Sequence, residues 1–299
     1  MEEIPAKKSK IPKWLTLLLK IAVTLTCIWY VSGKIDFKKA GATLQTVNWF
    51  YLILALFAFI LSKLVSAVRL NIYFKNAGIS LPNWQNIKLY ALGMFYNLFL
   101  PGSISGDAYK VILLKRKYNA PYKKTTAAVL LDRFSGLLGL GLILGVYSYL
   151  VLDEYLYVIA FAGGSILAVL VLYYIVSHWL KDFTQSFFPT LVLGILVQGV
   201  QVICACLIML SLGIPVHATE YIFIFLVSSV VAVLPLTIGG LGIRELVFLE
   251  GSGIFGLVQE TSVVISLLFY LITLFTSATG VFYVFNNPLK EKKDSLLSP

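Results

Sequence analysis

The feature that most constrains the fold of this 299-residue chain is a set of long apolar segments that contain no Asp, Glu, Lys or Arg. Four such segments cover residues 134–152, 155–177, 183–216 and 261–289. Each is at least as long as the ~18 apolar residues that mark a membrane-spanning helix. Only 13% of the chain is charged, whereas a soluble domain carries about 25% charged residues. The sequence therefore predicts an all-α polytopic membrane protein.

Six full spans are predicted from these segments and two others. They cover about residues 14–32, 49–70, 126–151, 155–177, 188–212 and 261–286. The first span follows a basic N-terminus, but it contains Lys20 and lacks a clear small-residue cleavage site. We therefore predict an uncleaved first span rather than a signal peptide.

Two more apolar stretches are interrupted by proline and glycine, at residues 89–106 and 221–256. If each enters the membrane and returns to the side it left, 17 Lys and Arg residues lie on the cytoplasmic side and 3 on the outer side. Cytoplasmic loops carry the excess of Lys and Arg, so this arrangement is favoured over two extra crossings. It predicts cytoplasmic N- and C-termini in a plasma membrane, either bacterial inner or archaeal.

The two interrupted stretches occupy corresponding places in two halves of opposite orientation. We predict one domain over 1–299, with pseudo-repeats at about 14–151 and 155–286 and re-entrant hairpins at about 89–118 and 221–256. Interrupted segments at corresponding positions of inverted halves mark the binding site of many transporters. Chance agreement is the alternative, because proline and glycine are common in membrane helices.

The local spacing within the two stretches also agrees. Pro101 and Pro235 are each followed five residues later by a glycine, Gly106 or Gly240. Broken helices at membrane depth are tolerated only when they are buried in protein or line a polar cavity, and a helix that starts after a break directs its N–H groups at an anion. The two breaks are therefore predicted to meet and form a site. Gly240 is expected to supply a positive φ, Gly106 to behave alike, and Gly242 to tolerate alanine better.

The segments "GDAYKVILLKRKYNAPYKKTTAAVLLDRFSGLLGL" (106–140) and "LPLTIGGLGIRE" (234–245) resemble the flippase-like transmembrane region of lysylphosphatidylglycerol synthases and their stand-alone relatives. The positions that fit are Gly106, Asp107, Asp132, Arg133, Gly239, Gly240, Leu241, Gly242, Arg244 and Glu245. Lys110 stands where arginine is usual, and Ile238 where proline is usual. A lysine keeps the charge but loses the bidentate phosphate geometry of arginine.

This resemblance implies a lipid flippase or a transporter of lipid-linked intermediates. Only "KEKKDSLLSP" follows the last predicted span, so the aminoacyl-transfer domain of the full synthases is not expected. The chain is accordingly not expected to make lysylphosphatidylglycerol.

The predicted substrate-binding residues are the charged and glycine residues at the breaks, with one lysine inside a span. They are Arg244, Glu245, Gly239, Gly240, Gly242, Gly106, Asp107, Lys110, Arg133 and Lys63. Charged residues inside the membrane are functional candidates by default.

For several of these residues two interpretations stay open. In the first interpretation, Arg244 contacts a lipid phosphate, and Glu245 orients Arg244 or binds a co-ion. In the second, Arg244 and Glu245 form an ion pair that holds the hairpin together. The neighbouring Asp132 and Arg133 either pair with Asp107 or Lys110 of the first hairpin or contact the ligand. Lys63, with Ser66 one turn on, would line the cavity and attract a phosphate.

No metal or cofactor is expected. Cys204 and Cys206 are two apart on one helix and point to different faces, and His178 and His217 lie at span ends without a second ligand. No Ser–His–Asp set and no nucleotide-type glycine loop is present, so no enzyme activity is expected.

The leading hypothesis is transport of an anionic lipid or a lipid-linked phosphate such as a polyprenyl-phosphate intermediate. Two alternatives are a membrane-embedded transferase on lipid-linked sugars, with Asp107 or Glu245 as base, and a non-transporting partner of an envelope-synthesis enzyme. Membrane lipids are expected partners, and a homo-oligomer stays open. Nucleic acid is not expected, because the cations follow the topology.

Overall fold

A computed structural model describes residues 13–99, 105–214, 216–234 and 236–289. These residues form twelve α-helices and no strand. The helices are α1 Lys13–Lys34, α2 Phe37–Gln45, α3 Trp49–Asn76, α4 Asn83–Phe99, α5 Ser105–Tyr118, α6 Tyr122–Val151, α7 Tyr155–Trp179, α8 Phe187–Ser211, α9 Ala218–Val233, α10 Ile243–Ile254, α11 Gln259–Ala278 and α12 Phe282–Phe285.

Six helical segments in the described part of the chain are long and apolar enough to cross a membrane. They are α1, α3, α6, α7, α8 with the 3₁₀ turn that precedes it, and α11 continued by α12. The predicted all-α polytopic fold with six spans is therefore confirmed. One boundary was placed too early: α3 continues to Asn76 instead of ending near residue 70, so Arg69 lies inside this helix and is buried.

The centre of the molecule is built from α3 and α8, which pack along each other and against α6. Small residues allow this close approach. A Cβ atom added to Gly139 of α6 would lie 2.5 Å from the backbone of Gly194 on α8, which is the small-residue packing that membrane helices use. By contrast, α7 contacts the bundle at one side, and Val176 is its single buried residue.

The two interrupted stretches form two antiparallel helix hairpins. In the first, Ser105 at the start of α5 contacts Tyr96 near the end of α4, while Tyr118 at the end of α5 reaches back to Gln85. In the second, α9 and α10 pair in the same way, with Arg244 at Ser229. The helices of these hairpins have 12 to 17 residues, each shorter than the ~20 that a crossing needs.

The prolines that motivated the comparison of the two hairpins, Pro101 and Pro235, lie outside the described residues. The return of each hairpin to the side it left, and the inverted repeat, stay predictions.

Candidate functional site

The end of α4 in the first hairpin contacts the second hairpin just after α9. Gly239, which follows α9 and has a φ of +63°, lies against α4, where an added Cβ would come within 2.3 Å of Leu98. The first span supports the same break, because the N–H of Ile238 donates to Thr24 Oγ1 over 3.2 Å. The end of α4 therefore lies beside the second break, while the meeting of the two breaks themselves stays a prediction, because residues 100–104 lie outside the described residues.

Glycine is required at the second break for its backbone conformation. Gly240 and Gly242 have φ values of +84° and +86°, a region that other residues enter at a cost. The expectation that Gly242 tolerates alanine is wrong, because its Cβ would also lie 2.9 Å from Cys27 Cβ. Gly106 differs again: it sits within α5 without a positive φ, and glycine is needed there for space.

Glu245 holds the start of α10. Its Oε2 accepts from the N–H of Gly242 over 2.7 Å, and its Oε1 accepts from the Ser266 hydroxyl of α11 over 2.8 Å. The side chain is buried, so these two bonds stabilise the carboxylate and tie the break to the last span.

The Arg244 side chain points away from Glu245, toward α9 and α11. Its Nη1 donates to Ser229 Oγ over 3.2 Å, and its guanidinium lies 5.2 Å from the centre of the Phe269 ring. No carboxylate lies within 4.0 Å of it among the described residues. Neighbouring positions on a helix do not face each other, so the alternative of an Arg244–Glu245 ion pair is wrong, and Glu245 does not orient Arg244 directly.

The first hairpin carries an ion network around Asp107. One carboxylate oxygen accepts from Lys110 Nζ over 3.0 Å, and the other accepts from Arg133 of α6. The Lys110 ammonium also lies 4.6 Å from the centre of the Tyr90 ring. The predicted pairing of Arg133 with the first hairpin is thus present, and it ties α5 to α6.

Asp132 has a different partner from those considered in the sequence. It pairs with Arg69 of α3 over 2.8 Å, and both side chains are buried. Sequence reasoning missed Arg69 because it was assigned to the loop after the span. The glycines facing it were a usable signal: a Cβ at Gly136 or Gly194 would lie 3.2 or 3.4 Å from its Nη1.

Lys63 lines a cavity of about 510 Å³ between α3, α4 and the α11–α12 segment. Its ammonium lies 4.5 Å from the centre of the Phe59 ring. Phe59 in turn makes an edge contact with Phe269, with ring centres 5.5 Å apart, and Phe269 is the ring that the Arg244 guanidinium contacts. Lys63 and Arg244 therefore each contact one ring of the same aromatic pair. Ser66 does not face the cavity, because it is buried and donates to the Ser62 carbonyl over 2.8 Å.

Cations outnumber carboxylates around the hairpins. Among the charged residues of the Lys63 cavity, the ion pairs of Asp107 and Asp132 and the start of α10, five are cations (Lys63, Arg69, Lys110, Arg133 and Arg244) and three are carboxylates (Asp107, Asp132 and Glu245). The ion pairs and the helix cap occupy all three carboxylates. Within the described part of the chain, no group of three His, Cys, Asp or Glu residues could hold a metal ion. The arrangement favours an anion near Lys63 and Arg244.

Comparison with known proteins places the chain in a family. No solved structure matches the chain. A UPF0104 membrane protein of Pyrococcus horikoshii is 28% identical over 123 residues, which cover 40% of this chain and 36% of that relative; the match thus spans about a third of the relative's length. The model of the lysylphosphatidylglycerol synthase transmembrane region matches residues 17–280, and the chain belongs to this family.

Proposed function

We propose that the protein moves an anionic lipid, or a lipid-linked phosphate of the polyprenyl-phosphate type, across the plasma membrane. The observation that carries this proposal is the pair of interior cations, Lys63 and Arg244, which have no carboxylate within 4.0 Å among the described residues. A cation held away from water without a counter-ion is costly. A phosphate that enters beside the two aromatic rings would offset this cost.

The cavity that Lys63 lines also suits a lipid. Its wall is mainly apolar and ends at α11 and α12, where Phe275 and Phe282 are 72% and 63% exposed. In a membrane these side chains face lipid, so a headgroup can reach Lys63 while its hydrocarbon chain stays among lipid tails. Tyr90 lines the same cavity, and its ring also contacts the Lys110 ammonium that is paired with Asp107.

Alternating access requires two elements that exchange contacts around a fixed site. Each hairpin packs on the last span of the other half, α4 on α11 and α9 on α6. These reciprocal contacts between each hairpin and the other half support the inverted repeat with re-entrant hairpins. The distribution of Lys and Arg still favours this topology. Without the buried Arg69 and Lys110, 15 Lys and Arg residues lie on the predicted cytoplasmic side and 3 on the predicted outer side.

The contacts of the carboxylates favour transport over the transferase hypothesis. A general base must be able to accept a proton from the substrate. Asp107 already accepts from two cations. Glu245 already accepts from a backbone N–H and a hydroxyl, which holds it as the cap of α10.

The test is a lipid-flipping assay in proteoliposomes. Fluorescent phosphatidylglycerol, a fluorescent polyprenyl phosphate and fluorescent phosphatidylcholine are each reconstituted, and a membrane-impermeant quencher reports how fast each lipid changes leaflet. We expect the protein to accelerate an anionic lipid more than phosphatidylcholine, and Arg244→Ala and Lys63→Ala to remove that acceleration. The matched control is Lys124→Ala, since Lys124 is exposed and pairs with Asp182 at the surface.

Rates equal to those of protein-free liposomes for all three lipids would refute the transport proposal and favour the role of a non-transporting partner. Equal loss in Arg244→Ala and Lys124→Ala would show that overall charge, rather than this site, is the relevant feature.

A further inference from the structure

The last span is not a continuous α-helix where it borders the Lys63 cavity. The helix α11 ends at Ala278, residues 279–281 form a 3₁₀ turn, and α12 begins at Phe282. A 3₁₀ stretch inside a longer helix often marks a functional hinge. Thr276, Thr279 and Phe282 around this turn all line the cavity. The irregular part of the last span therefore coincides with the cavity.

Contact with the first hairpin holds this turn in place. A Cβ atom added to Gly280 would lie 2.2 Å from the carbonyl oxygen of Ala91 and 2.7 Å from Cβ of Phe95, both in α4. Glycine thus lets the backbones of the turn and of α4 approach closely, as small residues do between membrane helices. Ala91 also lines the cavity. The turn and α4 are therefore adjoining walls of the cavity, and α3 with Lys63 is a third.

Few polar side chains belong to these walls. Besides Lys63 they are Tyr90, Thr276, Thr279 and Tyr283. The Thr279 hydroxyl donates to the Thr276 carbonyl over 2.7 Å. By contrast, the Oγ1 atom of Thr276 is buried and has no hydrogen-bond partner among the described residues, and the whole residue is 7% exposed. An unpaired buried hydroxyl is unfavourable, so a ligand that accepts a hydrogen bond from Thr276 would stabilise this wall.

Thr276 also differs from other hydroxyl residues of α11. Ser262 and Thr273 each donate to the carbonyl four positions earlier, over 2.9 and 3.0 Å, which is a common way for helical Ser and Thr to pair. A helical threonine has two accessible χ1 rotamers. Rotation between them moves the hydroxyl to another position on Cβ without any movement of the backbone. The Thr276 hydroxyl can therefore turn toward a ligand in the cavity.

We propose that Thr276 and Lys63 together bind the phosphate of the transported lipid, and that Thr276 makes this site selective for phosphate. The inference rests on the proposed function, because it concerns the same cavity. A lysine ammonium is a point charge that attracts any anion, whereas a hydroxyl adds a directional hydrogen bond. A phosphate has several acceptor oxygens and can accept from both groups at once. The apolar wall around Phe275 and Phe282 then contacts the start of the hydrocarbon chain.

Two threonines on successive turns of α11 provide matched variants. Thr276→Val removes the hydroxyl and keeps the shape of the side chain, and Thr276→Ser keeps the donor. Thr273→Val is the control, because Thr273 does not line the cavity and its hydroxyl donates to its own helix. Since the Thr276 hydroxyl has no partner among the described residues, Thr276→Val should not lower the thermal midpoint of the lipid-free protein.

The purified full chain in detergent is titrated with polyprenyl phosphate, phosphatidylglycerol, phosphatidylcholine and inorganic phosphate. The rise in the thermal midpoint gives an apparent affinity for each. We expect an anionic lipid to raise the midpoint of the wild type more than phosphatidylcholine or inorganic phosphate does. Its binding should be at least about ten-fold weaker in Thr276→Val, because a hydrogen bond to a charged group is lost. Thr276→Ser and Thr273→Val should bind the lipid as the wild type does.

Equal affinity of Thr276→Val and Thr273→Val for the anionic lipid would overturn the proposal, and so would a Thr276→Ser variant that binds as weakly as Thr276→Val. A lipid-free midpoint of Thr276→Val well below that of Thr273→Val would show a structural role and overturn it as well. A rise with inorganic phosphate equal to that with lipid would overturn the assignment to a lipid.

Flipping rates of the same variants separate this proposal from the proposed function. Weaker lipid binding by Thr276→Val, in a protein that flips none of the lipids, supports the binding site while the proposed function fails. Unchanged binding and unchanged flipping in Thr276→Val refute the role of Thr276 and leave the proposed function intact.

Discussion

Replacing Gly106 with alanine should be one of the most damaging single-methyl changes in the protein. Gly106 lies in the first turn of α5, where this helix packs against α4, and its N–H donates to Asn97 Oδ1 over 2.9 Å. An added Cβ would lie 2.0 Å from the carbonyl oxygen of Gly93 and under 3.0 Å from its Cα and C atoms. These are backbone atoms inside α4, so no side-chain rotation relieves the contact.

The cost follows from how far the helices must separate. Real Cβ atoms do not approach other heavy atoms closer than 3.0 Å, so α5 must move by about 1 Å to accept the methyl group. Overpacking of this kind costs about 1–3 kcal/mol. Alanine gains up to about 1 kcal/mol over glycine in a helix, which does not offset the upper part of that range. We therefore expect a net loss of stability of about 1–2 kcal/mol.

Gly93→Ala is the informative comparison because it adds a methyl group to the same α4–α5 contact, but from α4 instead of α5. Its Cβ would lie 2.2 Å from Cε of Lys110, a flexible side chain that can move away. Moving it costs the ion pair with Asp107, and a hydrogen bond to a charged group contributes about 1.5–3 kcal/mol. The penalty of Gly93→Ala therefore acts through Lys110, whereas that of Gly106→Ala acts through the backbone.

A double-mutant cycle separates these two mechanisms. Thermal midpoints in detergent and flipping rates are measured for each glycine variant in the wild-type and the Lys110→Ala backgrounds, with Gly33→Ala as the control because its Cβ meets nothing within 4 Å. Gly93→Ala should become nearly neutral in the Lys110→Ala background, and Gly106→Ala should not. If Gly106→Ala is as mild as Gly33→Ala, or is rescued by Lys110→Ala, the α4–α5 contact is not built as described.

Three other predictions follow from the second hairpin and the topology. Gly242→Ala should lower the thermal midpoint more than Gly240→Ala, because both have positive φ but only the former meets α1 at 2.9 Å; the reverse order would contradict the packing of this break. Glu245→Ala should cost about 1–3 kcal/mol in the same melt, since it removes both hydrogen bonds that the carboxylate accepts, whereas an unchanged midpoint would argue against the cap. Single cysteines at Glu154 and Lys117, in a background without the native cysteines, should be labelled from opposite sides of the membrane, and labelling from one side would refute the re-entrant topology.

The sequence predicts the spans well because a membrane imposes a strong rule. A crossing helix needs about 20 apolar residues and satisfied backbone groups, so the uncharged runs identify the six spans without any tertiary information. The breaks are also predictable, because clustered glycines and prolines oppose a continuous helix. The positive φ of Gly240 is an instance that the local sequence already indicates.

The pairing of charges is what the sequence leaves open. Hydropathy places Arg69 at a span end, and nothing local shows that α3 continues and carries it to Asp132 on another helix. Likewise, adjacency in the chain suggests an Arg244–Glu245 pair, but the helix sends the two side chains to Ser229 and Ser266. These partners are set by helix packing, which depends on contacts between residues far apart in the chain.

Lys110 shows how packing decides the role of a charged residue. The family resemblance places arginine at this position, as expected for a phosphate ligand. Here the side chain is 5% exposed, and its Cε occupies the space beside Gly93 of α4 that a Cβ atom would fill. The ammonium is already held by the Asp107 carboxylate and the Tyr90 ring. Lys110 therefore holds the first hairpin together.

Lys110→Arg tests this role directly. A guanidinium is wider than an ammonium and brings five N–H donors, while the one carboxylate at this position is shared with Arg133. An unpaired buried donor costs about 1–3 kcal/mol, so we expect a lower thermal midpoint and no gain in flipping of an anionic lipid. Lys110→Met, whose unbranched side chain is one atom shorter, should retain more stability than Lys110→Arg because it adds no unpaired buried donor, and Asp107 keeps its bond to Arg133. A stable Lys110→Arg variant that flips the anionic lipid faster than the wild type would show instead that this position contacts the phosphate, since only a ligand contact would gain from bidentate geometry.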